Sequence, residues 1–106
     1  MSTPLERRFE QRIQRTIQDS KETGYVPTIF SRMVSEHGAV EACKRLVNDS
    51  KFSEGYTKLW ELKRLDLSVE NIILEREWLE LFTDEERTRA DKKLREYGFK
   101  SPNAPC

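Results

Sequence analysis

The chain of 106 residues has few of the side chains that build metal centres and disulfide frameworks. It contains one histidine, His37, and two cysteines, Cys43 and Cys106. A structural zinc site uses about four cysteine or histidine ligands, so a single chain cannot supply one. Two cysteines, one inside a helical pattern and one at the last position, do not indicate a disulfide framework. We expect Cys43 to be a small buried hydrophobic residue.

The sequence also lacks long apolar runs and an excess of charge of either sign. No stretch approaches the roughly 20 consecutive apolar residues of a membrane-spanning helix, and no signal segment begins the chain. With 19 basic and 19 acidic residues, the formal net charge is zero. Neutrality gives no global attraction to nucleic acid or to an anionic membrane. These absences predict a cytoplasmic protein that does not associate with membranes.

Alternating apolar and polar residues, the pattern of a half-buried strand, are absent, and no internal repeat recurs at a fixed period. Apolar residues recur instead with helical spacing in short segments. The sequence therefore predicts an all-α protein, a compact irregular bundle of about five to six short helices. We assign residues 1–99 to one helical domain and residues 100–106 to a flexible C-terminal tail. We expect the protein to be a monomer.

The helix boundaries are predicted from caps and stops. Thr3, Ser53, Ser68 and Thr83 suit N-cap positions, and Thr83 with Glu86 has the spacing of a capping box. Gly98 suits a Schellman ending in which Phe99 folds back on Leu94. These signals predict helices at 4–22, 27–37, 40–48, 53–62, 69–73 and 84–97.

Large apolar residues are assigned to the core. Trp60, Trp78 and Phe30 stand among apolar neighbours and are predicted to be core anchors. The first helix carries an apolar stripe, and the second turns four residues inward. The stripe comprises Leu5, Phe9, Ile13 and Ile17, and the inward residues of the second helix are Ile29, Phe30, Met33 and Val34.

Four short motifs lie within the stretch from residue 25 to about residue 97. They are Tyr-x-Pro-Thr-x-Phe from Tyr25, Gly-Tyr-x-x-Leu-Trp-Glu from Gly55, Arg-Leu-Asp-Leu-Ser-Val-Glu from Arg64, and Leu-Phe-Thr from Leu81. This pattern resembles a family of small, uncharacterised, all-helical bacterial domains that occur alone or appended to larger proteins. The resemblance implies a helical fold and, for some members, a setting in DNA metabolism or defence, with no catalytic residues to transfer. Ala39, where a second glycine is usual, and Lys63, where a small residue is usual, depart from it.

Arg8, Arg12 and Arg15 fall at i, i+4 and i+7 and share one face of the first helix. Arginine makes two-pronged contacts with carboxylates and phosphates, so this basic stripe is a candidate surface for a protein partner or for phosphates. Together with Leu5 and Phe9 it is the docking surface that the sequence favours.

The second and third predicted helices, joined at His37 and Gly38, have the spacing of a helix-turn-helix. In that motif the second helix enters the DNA major groove. Its candidate DNA-facing residues are Lys44, Arg45 and Asn48. This alternative predicts a small nucleic-acid-binding protein that uses those residues together with the basic stripe.

Catalytic patterns are weak. Asp49 followed by Glu61-x-Lys63 matches a nuclease spacing, but that chemistry requires carboxylates on adjacent strands. Glu75, Glu77 and Glu80 lack the histidine partner of a helical metal site. We therefore expect no enzyme activity, no cofactor and no metal. The favoured function is a non-catalytic interaction domain that docks to a protein partner, as an adaptor or inhibitor in a bacterial DNA-defence or mobile-element setting.

Overall fold

The longest helix, α1 (Pro4–Glu22), begins at a capping box. The computed structural model describes residues 3–49 and 53–102, and of residues 53–55 only the backbone. At the start of α1, the Thr3 hydroxyl accepts a hydrogen bond from the Glu6 N–H at 3.1 Å. The helix ends in a Schellman motif, with Gly24 at φ 99° and the Tyr25 N–H donating to the Ser20 carbonyl. These contacts satisfy backbone groups that a helix end leaves without partners.

Gly38 joins α2 (Thr28–His37) directly to α3 (Ala39–Asn48). Its backbone, at φ 85° and ψ 162°, occupies a region that is nearly restricted to glycine, which explains the abrupt change of direction. Because Gly38 is the N-cap residue of α3, it offers no side chain to cap the helix. The carboxylate of Glu10, on α1, accepts a hydrogen bond from the Ala39 N–H at 2.9 Å instead. The start of α3 is thus stabilised by a carboxylate from another helix.

The second half of the chain is built from shorter pieces. Helix α4 (Ser53–Glu61) is followed by a 3₁₀ turn (Leu65–Leu67) and then by α5 (Val69–Ile73). Ser68 caps α5, because its hydroxyl accepts a hydrogen bond from the Asn71 N–H at 3.2 Å. A second 3₁₀ turn (Arg76–Trp78) precedes α6 (Asp84–Glu96). Thr83 starts α6 with a capping box, and the Phe99 N–H donates to the Leu94 carbonyl at 2.9 Å in a Schellman ending. Both features agree with the sequence prediction.

Helix α3 lies at the centre of the bundle, in contact with α1, α2, α5 and α6. The core beside it is aromatic, since the ring of Phe9 meets the edges of Trp78 and Phe82 at centroid distances of 5.1 and 5.3 Å. Edge-to-face packing of this kind adds to the stabilisation from burying the rings. Phe9 is fully buried, so it is part of the core and not of the predicted docking surface, and that prediction was wrong.

The predicted all-α bundle is confirmed: the described residues form six α-helices and two 3₁₀ turns without a strand. Trp78 is a core residue as predicted, and Phe30 packs against the core while partly buried. Trp60 is 48% exposed and Ile29 is 60% exposed, so their assignment to the core was wrong. Helical spacing places a residue on a face but does not show whether a neighbouring element covers that face.

The predicted tail is only partly described, since residues 103–106, with Cys106, lie outside the described ranges. Ser101 is buried, and its hydroxyl donates to the side-chain oxygen of Asn71 at 2.5 Å. The chain therefore remains attached to α5 beyond residue 99. The N-cap prediction for Ser53 concerns a side chain outside the described part of the structure.

Candidate functional site

A groove of about 280 Å³ lies between the end of α1, the bend at residues 25–27, the start of α2 and the α4 region. Its walls are mainly apolar and come from helices α1 to α5, the first 3₁₀ turn and the bend at residues 25–27. Among the lining side chains are Ile17, Phe30, Met33, Leu46, Leu59 and Val69. The volume is just below the roughly 300–1,000 Å³ of pockets that hold drug-sized ligands, so the groove suits one or two side chains of a larger partner.

Two exposed aliphatic side chains stand at the rim of this groove. Val26 is 57% exposed and Ile29 is 60% exposed, although both also line the cavity. Isolated exposed aliphatic residues need no explanation, but two at the rim of one apolar concavity are typical of an interaction site.

The floor of the groove includes the carboxylate of Glu70, which is nearly inaccessible to solvent. Lys93 neutralises it through an ion pair of 3.1 Å and also lies over the ring of Tyr56 at 4.4 Å from the centroid. The Tyr56 hydroxyl donates to the Lys93 carbonyl at 3.0 Å. Burial, together with the charge of Glu70, raises the pKa of Tyr56, so its hydroxyl stays protonated and can only donate or accept hydrogen bonds. The charge of the buried Glu70 carboxylate is thus balanced by the ion pair with Lys93.

The basic stripe on α1 is only partly available. Arg12 donates to Glu75 through Nε at 3.2 Å and through Nη2 at 3.0 Å, and Glu75 also accepts from the Trp78 indole N–H at 2.8 Å. Arg12 therefore fixes the second 3₁₀ turn against α1. Arg8 and Arg15 are exposed. Of the three predicted residues, these two can reach a partner without disturbing an existing ion pair.

The candidate DNA-facing residues contact other side chains of the protein. Lys44 and Asn48 both donate to the carboxylate of Glu86, each at 2.8 Å, and Arg45 pairs with Glu41 at 3.2 Å. Asn48 in turn accepts a hydrogen bond from Arg89. The charge that α3 would offer to phosphates is thus largely balanced by neighbouring carboxylates.

Burial works to raise the pKa of Glu86, but hydrogen bonds from Lys44, the Thr83 N–H and Asn48 outweigh it, so the pKa of this carboxyl is lowered. Because Glu86 also completes the capping box of α6, the same carboxylate joins α3 to α6. Lys44 and Asn48 consequently have a structural role in the bundle.

Nucleophilic and metal chemistry have little basis in the described side chains. Burial, with Glu70 and Glu10 nearby, raises the pKa of the Cys43 thiol, which therefore remains protonated and shielded from solvent. In residues 3–49 and 53–102 no group of three or more histidine, cysteine, aspartate or glutamate side chains could hold a metal ion. Over the same residues, no helix is both long enough and apolar enough to cross a bilayer.

Comparison with known proteins adds no relative: no family model, no curated protein and no solved structure matches this chain. The resemblance to a family of bacterial helical domains therefore stays a prediction. One of its two departures has a structural counterpart, because Lys63 lies in the left-handed region at φ 60°, where glycine is favoured.

The groove was not predicted from the sequence. Val26 and Ile29 flank Pro27 and Thr28, and this apolar segment reads equally well as core or as surface. Pro27, predicted as the first residue of the second helix, is its N-cap in the structure and makes no side-chain capping hydrogen bond. The start of α2 therefore stays open to solvent or to a bound group.

Proposed function

We propose that the protein is a non-catalytic interaction domain that binds an apolar segment of a partner protein in the groove. The observation that carries this proposal is the exposure of Val26 and Ile29 at the rim of an apolar cavity. Burying two such side chains against a partner would contribute about 1.5–3 kcal/mol each, which is enough to anchor a contact. The predicted resemblance adds a setting in DNA metabolism or defence, in which such a domain would act as an adaptor or inhibitor.

This proposal moves the docking surface from the α1 stripe to the groove. Phe9, which was to supply the apolar part of the stripe, is buried, and Arg12 is held by Glu75. The groove has two features of an interaction hot spot: a pocket, and a rim of apolar side chains that a partner can cover. Arg8 and Arg15 remain as candidates for a secondary, charged contact.

The proposal is tested by recovering partners from host lysate with the purified protein, with and without nuclease treatment. We expect a protein partner that survives nuclease and is lost with the double variant V26S/I29S. Leu79→Ser is the matched control, because Leu79 is an equally exposed aliphatic residue that does not line the groove.

Two other variants separate the groove from the basic surfaces. R8A/R15A leaves the Arg12–Glu75 ion pair intact, and Lys63→Ala removes a positive charge from a different exposed site. If R8A/R15A abolishes recovery, Lys63→Ala does not, and the recovered material disappears with nuclease, the protein binds nucleic acid and the proposal is wrong.

A further inference from the structure

We infer that the groove binds a tryptophan side chain of the partner protein, with the indole N–H donating a hydrogen bond to the carboxylate of Glu70. This inference rests on the proposed function and names the residue that the groove receives. Its starting point is the combination of apolar walls with one carboxylate. Among the described residues that line the groove, Glu70 is the only charged one.

The carboxylate of Glu70 has one oxygen in use. Only 4% of this side chain is exposed, and Lys93 donates to its Oε2 atom at 3.1 Å. Within residues 3–49 and 53–102 the Oε1 atom accepts no hydrogen bond, and it is not sealed from solvent. The Tyr56 hydroxyl, whose residue also lines the groove, donates to the Lys93 carbonyl instead. A nearly buried carboxylate can accept several hydrogen bonds, so Oε1 has room for a donor that enters through the groove.

The protein contains an occupied version of this arrangement at Glu75. This carboxylate also pairs with a basic side chain, since Arg12 donates to its Oε2 atom through Nη2 at 3.0 Å. Its Oε1 atom accepts the indole N–H of Trp78 at 2.8 Å. The Trp78 ring is buried and meets the ring of Phe9 edge-on at a centroid distance of 5.1 Å. A carboxylate that keeps its basic partner can therefore also accept an indole N–H beside aromatic rings.

The ion pair with Lys93 decides which kind of donor suits Glu70. Because Lys93 already balances the carboxylate, a second cation would meet the like charge of Lys93 at close range. A neutral donor on an apolar side chain avoids this repulsion. The indole N–H only donates, so it leaves no acceptor unpaired in the groove, whereas a tyrosine hydroxyl also carries acceptor lone pairs. Tryptophan is also among the residues most enriched at interaction hot spots.

The walls of the groove suit an aromatic ring. Tyr25, Phe30 and Tyr56 line it together with aliphatic side chains. Aromatic rings pack favourably edge-to-face, as Tyr56 already does with Tyr97 at a centroid distance of 4.8 Å. A single large ring system can thus fill a space of about 280 Å³ and present its one polar atom to the floor.

The test is a titration of the full chain with N-acetyl-tryptophanamide and with its benzothienylalanine analogue, in which sulfur replaces the indole N–H. Binding is followed in an amide nitrogen–proton correlation spectrum through the signals of Ile29 and Val69, which line the groove. We expect both compounds to shift these signals. The tryptophan compound should bind about tenfold more tightly, because the analogue brings no donor to the carboxylate of Glu70.

Two substitutions connect this difference to Glu70. Glu70→Gln keeps the size of the side chain but removes the charge of the acceptor, which weakens the hydrogen bond. Glu96→Gln is the control, because it removes the same charge from an exposed residue that does not line the groove. We expect Glu70→Gln to reduce the preference for the tryptophan compound several-fold and Glu96→Gln to leave it unchanged. The comparison of the two compounds on the wild type stays decisive if Glu70→Gln does not fold.

Equal affinity of the wild type for the two compounds would overturn recognition of the indole N–H while leaving the groove as a docking site. Tighter binding of N-acetyl-tyrosinamide, or the absence of any shift at Ile29 and Val69 with the tryptophan compound, would overturn it as well. Failure of the proposed function is distinguished by the lysate experiment, in which the V26S/I29S variant would then recover its partner like the wild type.

Discussion

Trp60 and Trp78 have the same side chain in different surroundings. Trp78 is almost fully buried, stacks edge-on with Phe9 and donates its N–H to Glu75. Trp60 is half exposed and packs edge-to-face with Tyr97, at a centroid distance of 5.6 Å. We expect Trp78→Ala to lower the free energy of unfolding by about 3–5 kcal/mol and Trp60→Ala by about 1 kcal/mol. Urea denaturation of the two variants measures the difference, and equal losses would contradict this assignment.

The carboxylate of Glu86 gives the stability of the protein an acid-sensitive component. Its pKa is lowered in the folded state, so its contribution is fully present above the unfolded value of about 4.3 and is lost as the pH falls through the folded pKa. We expect Glu86→Gln to reduce stability at neutral pH and to flatten the loss between neutral and acidic pH. The exposed neighbour Glu85 provides the control, since Glu85→Gln should keep the wild-type profile. Denaturation midpoints measured across this pH range decide the matter.

The end of helix α4 has an unusual residue in the left-handed position. Helix α4 ends in the hydrogen-bond pattern of a Schellman motif, with the Arg64 N–H donating to Leu59 at 2.8 Å and the Lys63 N–H to Trp60 at 3.0 Å. Lys63 thus holds the left-handed position that glycine occupies at the ends of α1 and α6.

We expect Lys63→Gly to raise the free energy of unfolding by about 0.5–1 kcal/mol, because it removes the steric strain of a side chain in this conformation. Lys58→Gly, within α4, should lower it by about 1 kcal/mol. The two thermal melts therefore shift in opposite directions. A destabilising Lys63→Gly would show that the aliphatic part of Lys63 contributes more than the strain costs.

At the level of elements, caps and periodicity predicted the helices well. The boundaries of α1 and α6 follow from Thr3, Thr83 and Gly98, whose effects are local. Burial depends on contacts between distant elements, and for this reason Trp60 and Ile29 were misassigned. The groove likewise depends on contacts between distant elements, since it forms where five helices and the loops between them meet without filling the space. The ion pair between Arg12 and Glu75 could not be predicted from the sequence either, because the two residues are 63 positions apart.

At the scale of the whole molecule, the fold should be independent of metal and of redox state. One histidine and two cysteines are too few for a zinc site, and Cys43 is buried with a raised thiol pKa. We expect thermal melts with a chelator and with a reductant to superimpose on the untreated melt. A midpoint that falls by several degrees with chelator corresponds to about 1 kcal/mol and would reveal a metal site.

The central claim is that the groove of this helical bundle holds part of a partner protein. Its most direct measurement is the amount of partner recovered from nuclease-treated lysate by the wild type, by V26S/I29S and by Leu79→Ser, each first shown to have the wild-type melting temperature. We expect equal recovery by the wild type and Leu79→Ser, and at least a tenfold loss for V26S/I29S, which corresponds to about 1.4 kcal/mol. Equal recovery by all three proteins would contradict it.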